Sequence, residues 1–228
     1  MNMIKATNNM RADANFFINM YRGNPKAVVT QGYLRLEASL QGGAQNAVNF
    51  NVLANQGSTT NVTEKRLLIP DAFHITKMFL GIFKAGTTTT ASQTDIAKAI
   101  VRTFPNPTVF STAGEADNLM NFYNGKYSIK VNQTTFIDND EIRRFYRVGQ
   151  SQQGQGPAVV MPRDEYSAPD FGFYDTLPTI RLSGSDNNQI FCTLPDSISM
   201  AGTASTNYAV CILRGFYVQN GAKFNPEV

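Results

Sequence analysis

The sequence predicts an all-β protein that folds as an antiparallel β-sandwich. The run from Asn207 to Asn220 (NYAVCILRGFYVQN) indicates this most clearly, because both of its alternating sets of side chains are apolar, as in a strand buried on both faces. Similar runs recur from Ala27 onward, separated by loops rich in Asn, Gln, Gly, Thr and Ser. A chain of 228 residues is long enough for one large domain with a real hydrophobic core.

The first 26 residues are predicted to form an N-terminal arm, and residues 27–228 the sandwich domain. The arm is polar, with basic side chains and an amphipathic patch at Phe16, Phe17 and Met20. Such a segment either caps the domain as a short helix or reaches a neighbouring subunit or the contents of a shell, since termini stay mobile unless something holds them. The candidate contact residues of the arm are Lys5, Arg11, Phe16, Phe17 and Arg22.

Strand-like patterns follow one another along the rest of the chain. The run Ala72–Ala85 is apolar on both faces in its second half, as expected of a central strand. Residues 112–124 instead repeat apolar side chains at helical spacing, with a capping-box pattern at Thr112–Glu115, and predict one short helix. The other predicted strands are Ala27–Leu40, Ala47–Ala54, Lys65–Ile69, Ile96–Phe104, Lys126–Ile137, Ile142–Val148, Thr179–Leu182, Gln189–Leu194 and Tyr208–Val218.

These elements favour a sandwich of single jelly-roll type. Lys126–Ile137 and Ile142–Val148 are predicted to form a hairpin through a turn at Asp138–Glu141, and Gly149–Pro157 is predicted to be an exposed loop. Roughly ten or eleven strands with one helix fit a single jelly roll. A double jelly roll would need about sixteen strands of about five or six residues each, which leaves almost no room.

Composition restricts the classes of function. The formal net charge of +3, from 20 basic and 17 acidic residues, is too small to mark a dedicated nucleic-acid-binding domain. No stretch is long and apolar enough to cross a bilayer, and the start lacks the pattern of a signal peptide, which predicts folding in the cytoplasm of the host cell. Cys192 and Cys211 fall within strand patterns and are predicted to pack as small buried hydrophobes rather than to form a disulfide.

No catalytic residue, cofactor or small-molecule substrate is predicted. His74 is the only histidine, so a catalytic triad would have to use it, and the G-x-S-x-G pattern of a nucleophile elbow is absent. Flanked by Phe73 and Ile75, His74 is predicted to be a hydrogen-bonded strand residue. The sequence also lacks the glycine-rich loops that bind nucleotides.

Two acidic groups are the candidates for metal or acid chemistry. Asp138, Asp140 and Glu141 could bind calcium through carboxylate oxygens, but the glycine and distal glutamate of an EF-hand are missing, so a solvated turn is favoured. Asp164, Glu165 and Asp170 could supply a pair of carboxylates of the kind that glycosidases use.

Arg143, Arg144 and Arg147 form the one basic and aromatic cluster, interleaved with Phe145 and Tyr146. In a strand, Arg143, Phe145 and Arg147 would share one face and present a ridge to nucleic acid. The favoured alternative is that the arginines pair with carboxylates across the sheet or a subunit boundary, which suits their planar guanidinium groups.

The runs RLLIPDAFHITKMFLGIFKAG and YNGKYSIKVNQTTFIDNDEIRRFYRVGQ, the amide-rich loops and the basic arm resemble jelly-roll capsid proteins of tailless bacteriophages. The resemblance extends over residues 27–220. It implies a virion structural protein, a coat subunit that assembles with copies of itself and other virion proteins, with no cofactor and no reaction. The basic arm would then contact nucleic acid or an internal membrane.

The alternative is a receptor- or carbohydrate-binding spike module of the same fold. Aromatic platforms for sugars usually involve Trp, which this chain lacks. Exposed rings on a loop could take its place. The candidates for such a platform are Tyr166, Phe171, Phe173 and Tyr174.

Overall fold

The computed structural model describes residues 12–41, 43–57, 61–86, 91–112, 114–148, 172–199 and 206–224. Within these ranges, eight strands dominate and the helices are short. The strands are β1 (Val28–Ser39), β2 (Gln45–Phe50), β3 (Ala72–Ala85), β4 (Lys126–Val131), β5 (Thr134–Glu141), β6 (Tyr174–Ser183), β7 (Asn188–Ile198) and β8 (Thr206–Gln219). The helices are α1 (residues 12–20), α2 (Gln93–Lys98) and α3 (Glu115–Tyr123), with a 3-10 helix at Ile142–Phe145.

The strands form two four-stranded antiparallel sheets that enclose a common core. The first sheet has the order β1-β8-β3-β6 and the second the order β2-β7-β4-β5. Strand β1 pairs with β8, β2 with β7, β3 with β6 and β4 with β5, and the pairs β3–β8 and β4–β7 complete the sheets. The predicted all-β antiparallel sandwich is therefore confirmed, with fewer strands among the described residues than the sequence patterns indicated.

The core lies between the sheets and is built from alternate side chains of each strand. Burial of one large aliphatic side chain contributes about 1.5–3 kcal/mol, so rows of such residues hold the sheets together. Cys192 and Cys211 belong to this core, and both are free thiols, as predicted. Burial raises the pKa of both thiols. The central inward-facing rows are Met78, Leu80 and Ile82 of β3, Ala209, Cys211 and Leu213 of β8, and Ile190 and Cys192 of β7.

The outer face of the first sheet is also covered, which explains why β3 and β8 are apolar on both faces. At one end, Phe79, Phe83 and Val210 pack against Ile96 of α2 in a second apolar cluster. At the other end, α1 and the turn after it bury Phe17 and Tyr21 against the sheet. The two-sided burial predicted for these strands is thus confirmed.

The number of helices differs from the prediction. The predicted helix near residues 112–124 is present as α3, but α1, α2 and the 3-10 helix accompany it. The prediction that Ile96–Phe104 is a strand is wrong. Ser92 caps α2 through a capping box with Asp95, and in the segment that follows only Arg102 bridges to β3, at Ile82. A local capping signal outweighs the short apolar alternation of this segment.

The predicted hairpin has its turn in a different place. The chain reverses after Val131, and Asn132 adopts φ +55°, a left-handed conformation that asparagine tolerates better than most residues. The acidic segment Asp138–Glu141 therefore lies in strand β5 and not in a turn. Beyond it, the predicted strand Ile142–Val148 begins with the 3-10 helix, because the chain leaves the sheet to bury Ile142 and Phe145.

Candidate functional site

The edge formed by β5 and β6 carries the arginine cluster that the sequence singles out. These are the end strands of the two sheets, and together they line a cleft of about 280 Å³. The floor of the cleft is apolar and belongs to the core, with Met78 and Ile180 among its residues. Charged and aromatic side chains also line the cleft, with Asp140, Arg144 and Tyr174 among them.

Tyr174 organises the basic side chains at this edge. The guanidinium carbon of Arg144 lies 4.7 Å from the centre of the Tyr174 ring, and that of Arg147 lies 5.3 Å from it. Arg147 also donates a hydrogen bond to the Tyr174 hydroxyl, and Phe145 packs edge-on against the same ring at 5.2 Å. Cation–π contacts of this kind contribute about 0.5–1 kcal/mol each at exposed sites. The cluster is therefore preorganised and still accessible.

Asp140 joins this cluster through two partners. It accepts a hydrogen bond of 2.9 Å from the Tyr127 hydroxyl and forms an ion pair with Arg144. Burial, together with this hydrogen bond, raises the pKa of Tyr127. Arg144 thus pairs with a carboxylate, but with one four residues earlier in the chain and not with one across the sheet or a subunit boundary. The Asp140 carboxylate is therefore occupied by two protein side chains.

The other acidic candidates do not converge with Asp140. Asp138 accepts a hydrogen bond from the Asn139 amide at 2.9 Å, and Glu141 lies opposite Lys126 in the β4–β5 ladder. In the part of the chain that the structure describes, no three His, Cys, Asp or Glu side chains come close enough to share a metal ion. The second group, Asp164, Glu165 and Asp170, lies outside the described residues.

Arg143, Phe145 and Arg147 do not form a ridge on one strand face, which was the less favoured of the two alternatives. Because Ile142–Phe145 is a 3-10 helix, Arg143 and Arg147 do not alternate along one strand face. Arg143 instead bonds the side chain of Asn124 at 3.2 Å, while Arg144 and Arg147 share the Tyr174 ring. The prediction that Arg143 and Arg147 stand on one face is wrong.

Two exposed apolar residues beside the cluster were not identified from the sequence. Leu177 on β6 is 87% exposed, and Phe136 on β5 is 44% exposed. Both line the cleft. A mixture of exposed apolar, tyrosine and arginine side chains is typical of the centre of a protein–protein interface. The available signal was the Leu-Pro step directly before the predicted strand Thr179–Leu182, since Pro in a sheet is confined to edge strands, strand starts and bulges.

The described part of the predicted arm lies against the first sheet. The Phe17 ring packs between His74 and Phe216, with centroid distances of 4.5 and 4.8 Å. Phe16 and Arg22 remain exposed. Lys5 and Arg11 lie outside the described residues. Residues 12–21 thus contain the capping helix that was one of the two alternatives for this segment.

His74 is the residue of the first sheet that contacts both Phe17 and Tyr21, and it is uncharged at neutral pH. Its Nε2 atom lies 2.9 Å from the Tyr21 hydroxyl, which also accepts a hydrogen bond of 3.1 Å from Nε of Arg181. Burial, with a smaller effect of the Arg181 charge, lowers the pKa of His74 to about 3. The prediction of a hydrogen-bonded strand residue is confirmed.

Two of the four rings considered for a sugar platform are described, and both are engaged. Phe173 packs against Phe79 and beneath the guanidinium of Arg214, which lies 4.1 Å from its centre. Tyr174 is the centre of the arginine cluster. Tyr166, Phe171 and the predicted loop Gly149–Pro157 lie outside the described residues.

Comparison with known proteins adds no family to this description. No protein-family model matches the sequence, and no curated protein shows significant similarity to it. None of the described helices combines the length and the apolar character needed to cross a membrane.

Proposed function

We propose that this chain is a virion structural protein, a coat subunit that folds as a single jelly roll and assembles with copies of itself into a shell. The observation that carries the proposal is the nested pairing of the strands, first with eighth, second with seventh, third with sixth and fourth with fifth. A jelly roll has eight strands in two sheets and is common in viral capsid and lectin domains.

The β5–β6 edge supports assembly through side chains. Leu177, Phe136, Arg144 and Tyr174 line the same cleft along this edge of the sandwich, and Arg147 contacts the Tyr174 ring. Burying a side chain such as Leu177 at an interface contributes about 1.5–3 kcal/mol. In a closed shell every subunit repeats the same contacts, so modest interface energies are sufficient.

The same edge is protected against uncontrolled strand addition. Pro178 has no backbone N–H to donate to a neighbouring strand, and β5 ends in the acidic segment Asp138–Glu141. Both features are common means of preventing edge-to-edge aggregation. Contacts at this edge therefore use side chains, which favours discrete closed assemblies over fibres.

The arm supplies the second contact in this proposal. Phe16 and Ile18 are more than half exposed on α1, while Phe17 is buried beneath the helix. The exposed face of α1, with the residues that precede it, would contact a neighbouring subunit or the shell contents. A truncation that tests this role has to end before residue 12, because a cut at residue 25 also removes the buried Phe17 and Tyr21.

Leu177→Glu tests the edge contact. We expect the variant to remain folded, with an unfolding midpoint close to that of the unmodified protein, because Leu177 is largely exposed. We also expect it to form no particles, because the new charge would be buried without a partner at the interface. Val62→Glu is the matched control, since Val62 is 62% exposed and lies away from the cleft.

Electron micrographs and sedimentation velocity give the readout. Particles from the Val62→Glu variant but not from Leu177→Glu would support the proposal. Particles of normal size and yield from Leu177→Glu would exclude this edge as an assembly contact.

One observation favours the alternative of a carbohydrate-binding module. A groove of about 440 Å³ at the β2–β7 end of the second sheet is lined by amide side chains and by the Phe191 ring. Amides and one ring are suitable groups for binding a neutral polyhydroxylated ligand. Glycan binding that is lost in Phe191→Ala, by a protein that forms discrete trimers and no shells, would favour this alternative. The lining amides are Asn49, Asn51, Gln56, Asn187, Asn188 and Gln189.

A further inference from the structure

Three polar side chains meet at one end of the core, where β3, β8 and α3 come together. Lys84 follows the inward row of β3 after Ile82, and Asn207 precedes the inward row of β8 before Ala209. Glu115 is the first residue of α3. Glu115 and Asn207 are completely buried, and the Lys84 side chain is 12% exposed. An amine, a carboxylate and a carboxamide are thus enclosed together beside an apolar core.

The Glu115 carboxylate contacts both of the other groups. Its Oε2 atom lies 2.9 Å from the Lys84 amine nitrogen, and its Oε1 atom accepts a hydrogen bond of 2.7 Å from Nδ2 of Asn207. Lys84 and Asn207 are also directly opposite each other in the β3–β8 ladder. Opposite residues of antiparallel strands have Cβ atoms about 4.5–5.5 Å apart. The four methylene groups of Lys84 span that separation easily.

The backbone around Asn207 is held firmly. Its N–H donates to the Gln41 side chain at 3.1 Å, and its carbonyl oxygen accepts from the Leu40 N–H at 2.9 Å. Lys84 is fixed by a further hydrogen bond of 3.1 Å to the carbonyl oxygen of Val109. The amine and the carboxamide therefore cannot diffuse apart in the folded protein.

We propose that the side chains of Lys84 and Asn207 become joined by an amide bond, with Glu115 transferring the protons. The Lys84 ammonium first gives one proton to the Glu115 carboxylate, and the neutral amine attacks Cγ of Asn207. The new C–N bond forms while the bond from Cγ to Nδ2 breaks. Nδ2 receives the proton from Glu115 and the second proton lost by the Lys84 nitrogen, so an ammonium ion leaves and Glu115 is again a carboxylate.

The geometry supplies the two things that this reaction needs. The first is proximity, since holding an amine and a carbonyl carbon in one site replaces a very slow bimolecular reaction by an intramolecular one. The second is a proton carrier in contact with both the attacking and the leaving nitrogen, which is the position of Glu115. Proton transfer from Lys84 to Glu115 also removes two charges from a site shielded from water, where charges are costly.

The bond would join the two central strands of the first sheet. It would link distant parts of the sequence across the β3–β8 pair, so β3 and β8 could not separate on unfolding. This inference concerns the fold of one chain and does not depend on the proposed function. A protein that forms no shells can still carry the link.

Intact mass spectrometry of the purified, folded protein tests the proposal. We expect a mass lower than that of the sequence by one molecule of ammonia. Trypsin should then release residues 78–98, uncut at Lys84, joined to residues 182–214, which contain Asn207. The full sequence mass, unchanged after several days of incubation of the folded protein, would overturn the proposal and leave Lys84, Glu115 and Asn207 as a buried hydrogen-bonded ion pair.

Two variants separate the chemistry from the packing. Lys84→Arg keeps a charge for Glu115 but has no amine nucleophile, and Glu115→Gln keeps the shape but cannot carry the proton. We expect both proteins to have the full mass of their sequences. Lys77→Arg, on the same strand and 3.9 Å from the Asp175 carboxylate, is the control and should still lose ammonia. Loss of ammonia from Lys84→Arg would also contradict the proposal, because it would show that another residue reacts.

Discussion

Buried polar side chains determine how single residues of this protein respond to pH and to substitution. His74 is the clearest case, because it is the only histidine and it lies beneath α1 with Tyr21 and Arg181 as its polar neighbours. Its pKa is lowered from 6.5 to about 3. The unfolded chain therefore binds a proton at His74 at mildly acidic pH, whereas the folded protein does not.

This difference in proton binding reduces stability as the pH falls from 6.5 towards 3. At pH 5 the loss from His74 is about 2 kcal/mol, since each pKa unit corresponds to about 1.4 kcal/mol. The side chain of His74→Gln cannot bind a proton in this pH range. Between pH 7 and pH 5 we therefore expect the free energy of unfolding to fall by about 2 kcal/mol more in the unmodified protein than in this variant. Urea unfolding at both pH values measures it. If the free energy of unfolding changed equally with pH in the two proteins, His74 would have to be exposed or already protonated in the folded state.

Residue-level sequence interpretation was accurate where the local pattern alone decides the environment. His74 was predicted to be a hydrogen-bonded strand residue, and Cys192 and Cys211 were predicted to be small buried hydrophobes. The contacts of Lys84, Glu115 and Asn207 could not be predicted in the same way, because these residues are far apart in the sequence and meet only through the β3–β8 pairing. Glu115 was interpreted as a capping-box residue, and its carboxylate does accept a hydrogen bond of 3.3 Å from the Thr112 N–H, but it is also a buried partner of Lys84.

At the scale of single elements, α1 shows how two neighbouring residues can have opposite roles. Phe17 is 2% exposed, and Phe16 beside it is 57% exposed. The helix is held mainly by Phe17 and by the Tyr21 hydroxyl at its C-terminal end. Docking of α1 therefore depends on a few contacts with the first sheet.

Alanine substitution distinguishes the two phenylalanines. Phe17→Ala leaves a cavity against His74 and Phe216, and we expect it to lower the free energy of unfolding by about 3 kcal/mol. Phe16→Ala, the matched control, should change it by less than about 0.5 kcal/mol. Urea unfolding followed by fluorescence gives both values. Similar effects of the two substitutions would mean that α1 does not dock as described.

Strands with a continuous apolar pattern were predicted correctly, whereas segments whose structure depends on a turn or a helix cap were not. The long run of β3 and the closing run of β8 match the structure nearly residue for residue, because burial on both faces leaves few alternatives. The β4–β5 turn was misplaced because Asn132 and Gln133 interrupt an alternation that resumes on β5. The segment Ile96–Phe104 is not a strand because the capping box of Ser92 and Asp95 starts a helix that runs into it.

At the scale of the whole molecule, the two sheets have different outer faces. The first sheet is covered by α1, α2 and the segment after α2, whereas described residues on the outer face of the second sheet, such as Asn49, Gln189 and Thr193, are exposed. In the proposed shell, we expect this uncovered face to meet solvent or a ligand while the edges meet other subunits.

The sequence predicted the class of this architecture and favoured a single jelly roll, but it did not fix the order of the strands. Alternation along strands shows which faces are buried, and every sandwich shares that pattern. The nested order of the two sheets is a property of pairings between distant strands, so it required the structure. The arginine cluster was found from its composition, and its partner Tyr174 was not, because nearly thirty residues separate them in the chain.

The proposal of a self-assembling shell subunit is tested most directly by electron-microscope images of the purified full-length chain, combined with its mass in solution, over a range of salt concentration and pH. The account predicts closed particles of uniform diameter, with a mass many times that of one chain. A protein that remains a monomer, or a small discrete oligomer such as a trimer, under all of these conditions would contradict it.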